Sequence, residues 1–81
     1  MKPAQCRAAR SLLDMTQSQL ANAAELGLST VVDFERERRS VSEGAVIELR
    51  MALERAGVEF IDENGGGAGV RLRKPSMKKT R

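Results

Sequence analysis

A single cysteine, Cys6, stands in a chain of 81 residues, and this narrows most sharply what the chain can fold into. One cysteine excludes an intramolecular disulfide, and so short a chain lies near the lower size limit for folding without staples. Stability must therefore come from packing. Hydrophobic residues make up 41% of the chain, enough for a core. Phe34 and Phe60 are the only aromatic residues, so that core must be mostly aliphatic. The lone thiol fits a cytoplasmic setting. No apolar run reaches membrane-spanning length, and Met1-Lys2-Pro3 leads into a mixed segment without a signal-peptide pattern.

Apolar spacing predicts four short helices in residues 1–57. Over 4–14, Ala8, Leu12 and Met15 recur at helical spacing, with Ala9 and Leu13 beside them. Thr16-Gln17-Ser18-Gln19 is a capping box that opens a second helix, whose apolar face is Leu20, Ala21 and Ala24. Glu25-Leu26-Gly27 breaks the pattern. A third helix runs from about Leu28 to Glu37, with Val31 and Phe34 inward. Arg38-Arg39-Ser40 reads as a loop, and Ser42 as the N-cap of a fourth helix bearing Val46, Ile47, Leu49, Leu53 and Ala56. Val41 and Val46 suit a hydrophobic staple, and Gly57 suits a Schellman stop with Leu53 and Val58 in contact.

Beyond Gly57 the period changes from helix to strand. Val58-Glu59-Phe60-Ile61 and Val70-Arg71-Leu72-Arg73 alternate, so 58–73 reads as a β-hairpin with Asn64-Gly65 as its turn signal. A lone hairpin is marginal in water. Its Val58, Phe60, Val70 and Leu72 face must pack on the helices or on another chain. Residues 74–81 read as a disordered basic tail.

The net charge of +3 would suit a polyanionic partner, but its distribution weakens that inference. Residues 1–70 hold eight basic against eleven acidic residues, a balance of −3, and the C-terminal end supplies the excess of base. Without histidine and with one cysteine there is no zinc set and no Cys-His pair. The glycine run after Asn64 lacks the Lys-Ser/Thr of a phosphate-binding loop and opens no helix. Asp62 and Glu63 sit adjacent on a loop with nothing to perturb them. No enzyme chemistry and no cofactor or small-molecule site is expected.

Two short helices joined by a three-residue break, early in a small helical domain, form a helix-turn-helix pattern. In detail, Gln17, Leu20, Ala21, Leu26, Val31, Phe34 and Glu35 resemble the XRE (lambda repressor/Cro-like) family over about residues 4–57. Ala21 is small where the third helix crosses the second, and Leu26 plugs the corner. A register shifted by two residues, on Gly27-Leu28-Ser29, would bury Asp33 and Arg36; the first register buries Val31 and Phe34 instead and is preferred. Its consequence is that Glu25 takes a left-handed position where the family has glycine, at a cost of about 1 kcal/mol. Gly27 becomes the N-cap of the third helix.

The resemblance implies a mainly α fold: a four-helix Cro/repressor-like helix-turn-helix domain with a C-terminal β-hairpin. It also implies a salt bridge between Arg10 and Glu35, and double-stranded DNA as partner. The third helix would enter the major groove with Leu28, Ser29, Thr30, Val32, Asp33 and Arg36 toward the bases. Leu28 and Val32 could meet thymine methyls. Asp33 could accept from a cytosine amino group or remain a solvated carboxylate paired with Arg36. Thr16, Gln17 and Ser18, with Arg38, Arg39 and Ser40, would hold phosphates, unless the latter cluster is a plain solvated face. Relatives of this type act as homodimers on inverted repeats, with Val58, Phe60, Val70, Leu72 and the fourth helix as the expected interface.

The C-terminal extension resembles that of small rhizobial regulators similar to the controller proteins of restriction-modification operons. That similarity implies autoregulation by activation and repression. The rival expectation is an antitoxin-type module that neutralises a second protein while binding its own promoter.

Overall fold

The computed structural model describes residues 1–73; the expectation of a disordered tail over 74–81 lies outside them. Within the described residues the fold is mainly helical. Its elements are α1 (Pro3–Leu13), α2 (Gln17–Ala24), α3 (Leu28–Arg36) and α4 (Glu43–Ala56), then β1 (Val58–Ile61) and β2 (Gly69–Leu72) as a two-stranded antiparallel sheet. No helix among the described residues is long and apolar enough to cross a membrane.

Each helix starts where local chemistry dictates. Pro3 opens α1, where its missing N–H costs nothing. The Thr16 hydroxyl accepts from the Gln19 amide at 3.0 Å, and Gln19 Oε1 accepts from the Thr16 amide at 2.8 Å, completing the expected capping box. Ser42 Oγ accepts from the Ala45 amide at 3.1 Å. Gly27 caps α3 in extended conformation.

The ends are less expected. Asp14, Glu25 and Glu37 all adopt left-handed φ between 55° and 59°. In each case the next amide returns to the carbonyl five residues back: Met15 to Arg10, Leu26 to Ala21 and Arg38 to Asp33, each at 2.9 Å. These are Schellman turns closed without glycine. The helix stops at Gly57 as expected, with Leu53 and Val58 both in the core, but the Schellman bond is not formed. Gly57 donates only to Leu53 and Glu54, at φ +122°, because Val58 departs directly into β1.

Cys6, Ala9, Leu20, Ala21, Ala24, Val31, Phe34, Leu49, Ala52, Leu53 and Val58 form one core, as aliphatic as the composition requires. Leu26, Val41 and Val46 pack half-buried against it. Two faces differ from the sequence expectation. On α1, Ala8 and Leu12 are exposed, while Gln5, Cys6 and Ala9 point inward. On α4, Ile47 and Ala56 are exposed and Ala52 takes the inward position.

The hairpin packs on α1 and α4 of its own chain. Val58 lies opposite Leu72, and Phe60 opposite Val70. Val58 is fully buried, Phe60 and Val70 half-buried, and Leu72 52% exposed. Gln5 Nε2 donates to the carbonyls of Gly69 and Ile61 at 3.0 and 3.4 Å, while Gln5 Oε1 accepts the Lys2 amide at 2.8 Å. Arg73 Nη2 reaches the Glu54 carbonyl at 2.7 Å, and the Arg50 guanidinium lies 4.9 Å from the Phe60 ring centroid. A ladder too short to stand alone is thereby fixed from both sides.

Two glycines separate backbone strain from space. Nothing lies within 4 Å of a Cβ added at Gly44 or at Gly57, but only Gly57 has positive φ. Gly57→Ala is expected to lower stability by about 1–2 kcal/mol, and Gly44→Ala, inside α4, to raise it by about 0.5 kcal/mol. Urea unfolding midpoints of the two variants, at unchanged slope, check the opposite signs.

Candidate functional site

The inward residues of α3 determine which residues face out. Val31, Phe34 and Glu35 are buried, so Ser29 and Arg36 stand exposed on the opposite side and Leu28 is exposed at the helix start, with Thr30, Val32 and Asp33 half-buried. This is the preferred register, with Val31 and Phe34 in the core and Asp33 and Arg36 outside it.

Behind that face lies the most constrained polar group of the structure. Glu35 is 1% exposed, yet every oxygen is bonded. Arg10 approaches with two nitrogens, Nε to Oε2 at 2.7 Å and Nη2 to Oε1 at 2.8 Å. Gln17 Nε2 donates to Oε1 at 3.0 Å and Cys6 Sγ to Oε2 at 3.1 Å. Arg10 Nη1 also reaches the Met15 carbonyl at 3.1 Å, in the connection between α1 and α2. The Arg10–Glu35 pair is thus present, and Gln17, expected to face a phosphate, turns its amide inward to join it.

Burial alone would raise the Glu35 pKa. Hydrogen bonds from Arg10, Cys6 and Gln17, together with the Arg10 charge, outweigh it and hold the carboxyl below its ordinary value. The hydrogen bond to Glu35 raises Arg10 in turn. Burial first, then the bond to Glu35, pushes the Cys6 thiol far up, so Cys6 is an inert structural donor.

The start of α2 flanks the α3 face. Thr16 and Ser18 are exposed, and the amides of Gln17 and Ser18, in the first turn, have no intrahelical acceptor. An open concavity runs between α1, this helix start and the end of α3, lined among others by Arg7, Ser11, Thr16, Gln17 and Arg36. Arg7 donates to the Glu35 carbonyl. The expected site omits Arg7, although its spacing of three from Arg10 places both on one face of α1.

Beyond α3, Arg38, Arg39 and Ser40 are exposed. Arg36 and Arg38 have no ion-pair partner among the described residues. Asp33 does: its Oδ2 lies 2.7 Å from Arg39 Nε, with the Asp33 side chain 19% exposed. The carboxylate expected to pair with Arg36 therefore pairs with Arg39, because the Schellman turn after Arg36 brings the chain back past Asp33. Of the hairpin residues expected at an interface, Val58 is wholly enclosed in its own core and Leu72 alone is largely exposed. No group of His, Cys, Asp and Glu suited to a metal occurs among the described residues.

No protein-family model matches the chain, and no curated protein matches it at a significant level.

Glu35→Gln is expected to destabilise the fold by about 2–3 kcal/mol, because Arg10 keeps its charge without a counter-charge. The sign of the pH dependence is set by the lowered folded-state pKa. Glu35 stabilises fully above the ordinary glutamate range, and that contribution is lost as pH falls through that range toward the folded value. Thermal midpoints should therefore fall less steeply on acidification in the variant than in the parent.

Proposed function

We propose that this protein is a sequence-specific double-stranded-DNA-binding regulator of transcription, of the helix-turn-helix class, acting as a homodimer on an inverted-repeat operator. The observation that carries the reading is the seat of α3. Its inner side is locked by Glu35, and on its outer side Leu28, Ser29 and Arg36 are exposed with Val32 half-buried among them. A short helix so held suits the major groove, and two neighbours suit the phosphates beside it. The unpaired amides at the start of α2 would meet one strand, at a concavity lined by Arg7 and Arg36 as well as by Asp14. Arg38, exposed just past the helix, would serve the other.

One such unit covers few base pairs, so a two-fold pair of units accounts better for specific affinity. Ile47 and Met51, one turn apart on the exposed side of α4, and Leu72 on β2 are large apolar residues open to solvent. They offer the self-association surface that Val58 cannot.

Footprinting on the DNA upstream of the protein's own gene tests the proposal. Protection of an inverted repeat is expected. Arg36→Ala and Arg38→Ala should weaken binding on every sequence and each reduce the slope of log affinity against log salt by about 1. Absence of protection, or affinity indifferent to salt, overturns the reading. Sedimentation as a monomer at high micromolar concentration overturns the homodimer.

A further inference from the structure

The outer face of α3 has an uncommon chemistry for a surface that meets base edges. Leu28 begins the helix and is 47% exposed. Val32 stands one turn further on, half-buried, with Ser29 beside Leu28. Residues 28–33, the first part of the face, include no Arg, Lys, Asn or Gln, so the forked donors and amides that read guanine and adenine with two bonds are missing there, and Arg36 stands only at the far end of the helix. Its one carboxylate, Asp33, is paired through Oδ2 with Arg39 at 2.7 Å, which offsets its charge and orients it toward the turn after α3. What Leu28 and Val32 offer toward the groove is aliphatic, with the Ser29 hydroxyl beside them. The major groove has one aliphatic counterpart, the methyl group on pyrimidine C5.

Resting on the function proposed above, we infer that Leu28 and Val32 read C5-methyl groups of pyrimidines, and that the half-site is defined by where those methyls lie. The recognised group has two sources, thymine and 5-methylcytosine, which carry the same methyl at the same ring position. Four residues of helix rise about 6 Å, and base pairs step by about 3.4 Å, so the two methyls fall within about two steps of one another. Removing one methyl from an apolar contact is expected to lower affinity about fourfold, the factor that corresponds to about 0.8 kcal/mol for one buried carbon group.

The test uses the full chain and a pool of duplexes with a randomised core. The recovered sequence is remade with uracil in place of thymine, one position at a time. The same positions are then made as cytosine and as 5-methylcytosine paired with guanine. Uracil is expected to weaken binding about fourfold at each of two positions in a half-site and about fifteenfold at both. 5-Methylcytosine should bind more tightly than cytosine by a similar single factor. A preference for thymine over uracil without a gain from 5-methylcytosine supports the inference with thymine as the source.

Leu28→Ala and Val32→Ala, which leave the core intact, should each erase the discrimination at one position; circular dichroism confirms their folding. Discrimination that survives in both variants overturns the assignment to these residues. A recovered duplex that binds equally with thymine and uracil overturns the inference while leaving DNA binding in place. A pool that yields no bound duplex overturns both.

Discussion

A buried carboxylate costs several kcal/mol unless it is fully paired, and Glu35 is paired from three directions. Arg10 and Cys6 come from α1, Gln17 from the first turn of α2, and Glu35 itself from α3. Three helices therefore converge on one charge. Aliphatic packing alone tolerates sliding, because one methyl contact replaces another at little cost. A bidentate guanidinium with two further donors does not. The network fixes both the rotation and the height of α3, and with them the set of side chains that face outward.

The short helices make this fixing necessary. α1, α2 and α3 run 11, 8 and 9 residues, lengths at which isolated helices are marginal in water. Their Schellman turns add a left-handed residue without glycine each time, at about 1 kcal/mol apiece. Compensation comes from the residue just past each turn. Met15 and Leu26 fold back onto the core, so the strained residue directs an apolar side chain inward. After α3 the corresponding residue is Arg38, which stays exposed. The same backbone device thus anchors the corner twice and then, at the third use, presents a cation to solvent.

Legibility in the sequence tracked the range of the interaction. The Thr16–Gln19 box and the Ser42 cap depend on neighbours three residues apart, and both are readable directly. The register of α3 is readable because burying Asp33 and Arg36 is so unfavourable that Val31 and Phe34 must take the inward positions. Glu25 at a left-handed position is a consequence of that register. The inward face of α1 is not readable. Gln5 displaces the apolar Ala8 and Leu12 because its amide is satisfied by carbonyls 56 and 64 residues away, on the hairpin. The partner of Asp33 is hidden for a related reason: Arg39 reaches it only after a tight turn whose closing residue, Glu37, carries no glycine signal. Sequence patterns therefore located the outward face of the candidate site by elimination, but not the pairing of charges across it.

That pairing separates two tasks on the proposed surface. Of the charged groups near the outer face of α3, Glu35 is neutralised from within and Asp33 is paired with Arg39, whereas Arg36, Glu37 and Arg38 at its end have no ion-pair partner among the described residues, a balance of one positive charge. Attraction to a polyanion then resides at the end of the helix, where it is indifferent to base sequence. The beginning of the helix is left uncharged and largely aliphatic, where water is displaced at little electrostatic cost. Residues 1–70 carry a balance of −3 although the whole chain carries +3, so a free carboxylate on this face would add local repulsion toward a polyanion. Pairing Asp33 with Arg39 offsets that carboxylate's own share of the repulsion on the proposed surface.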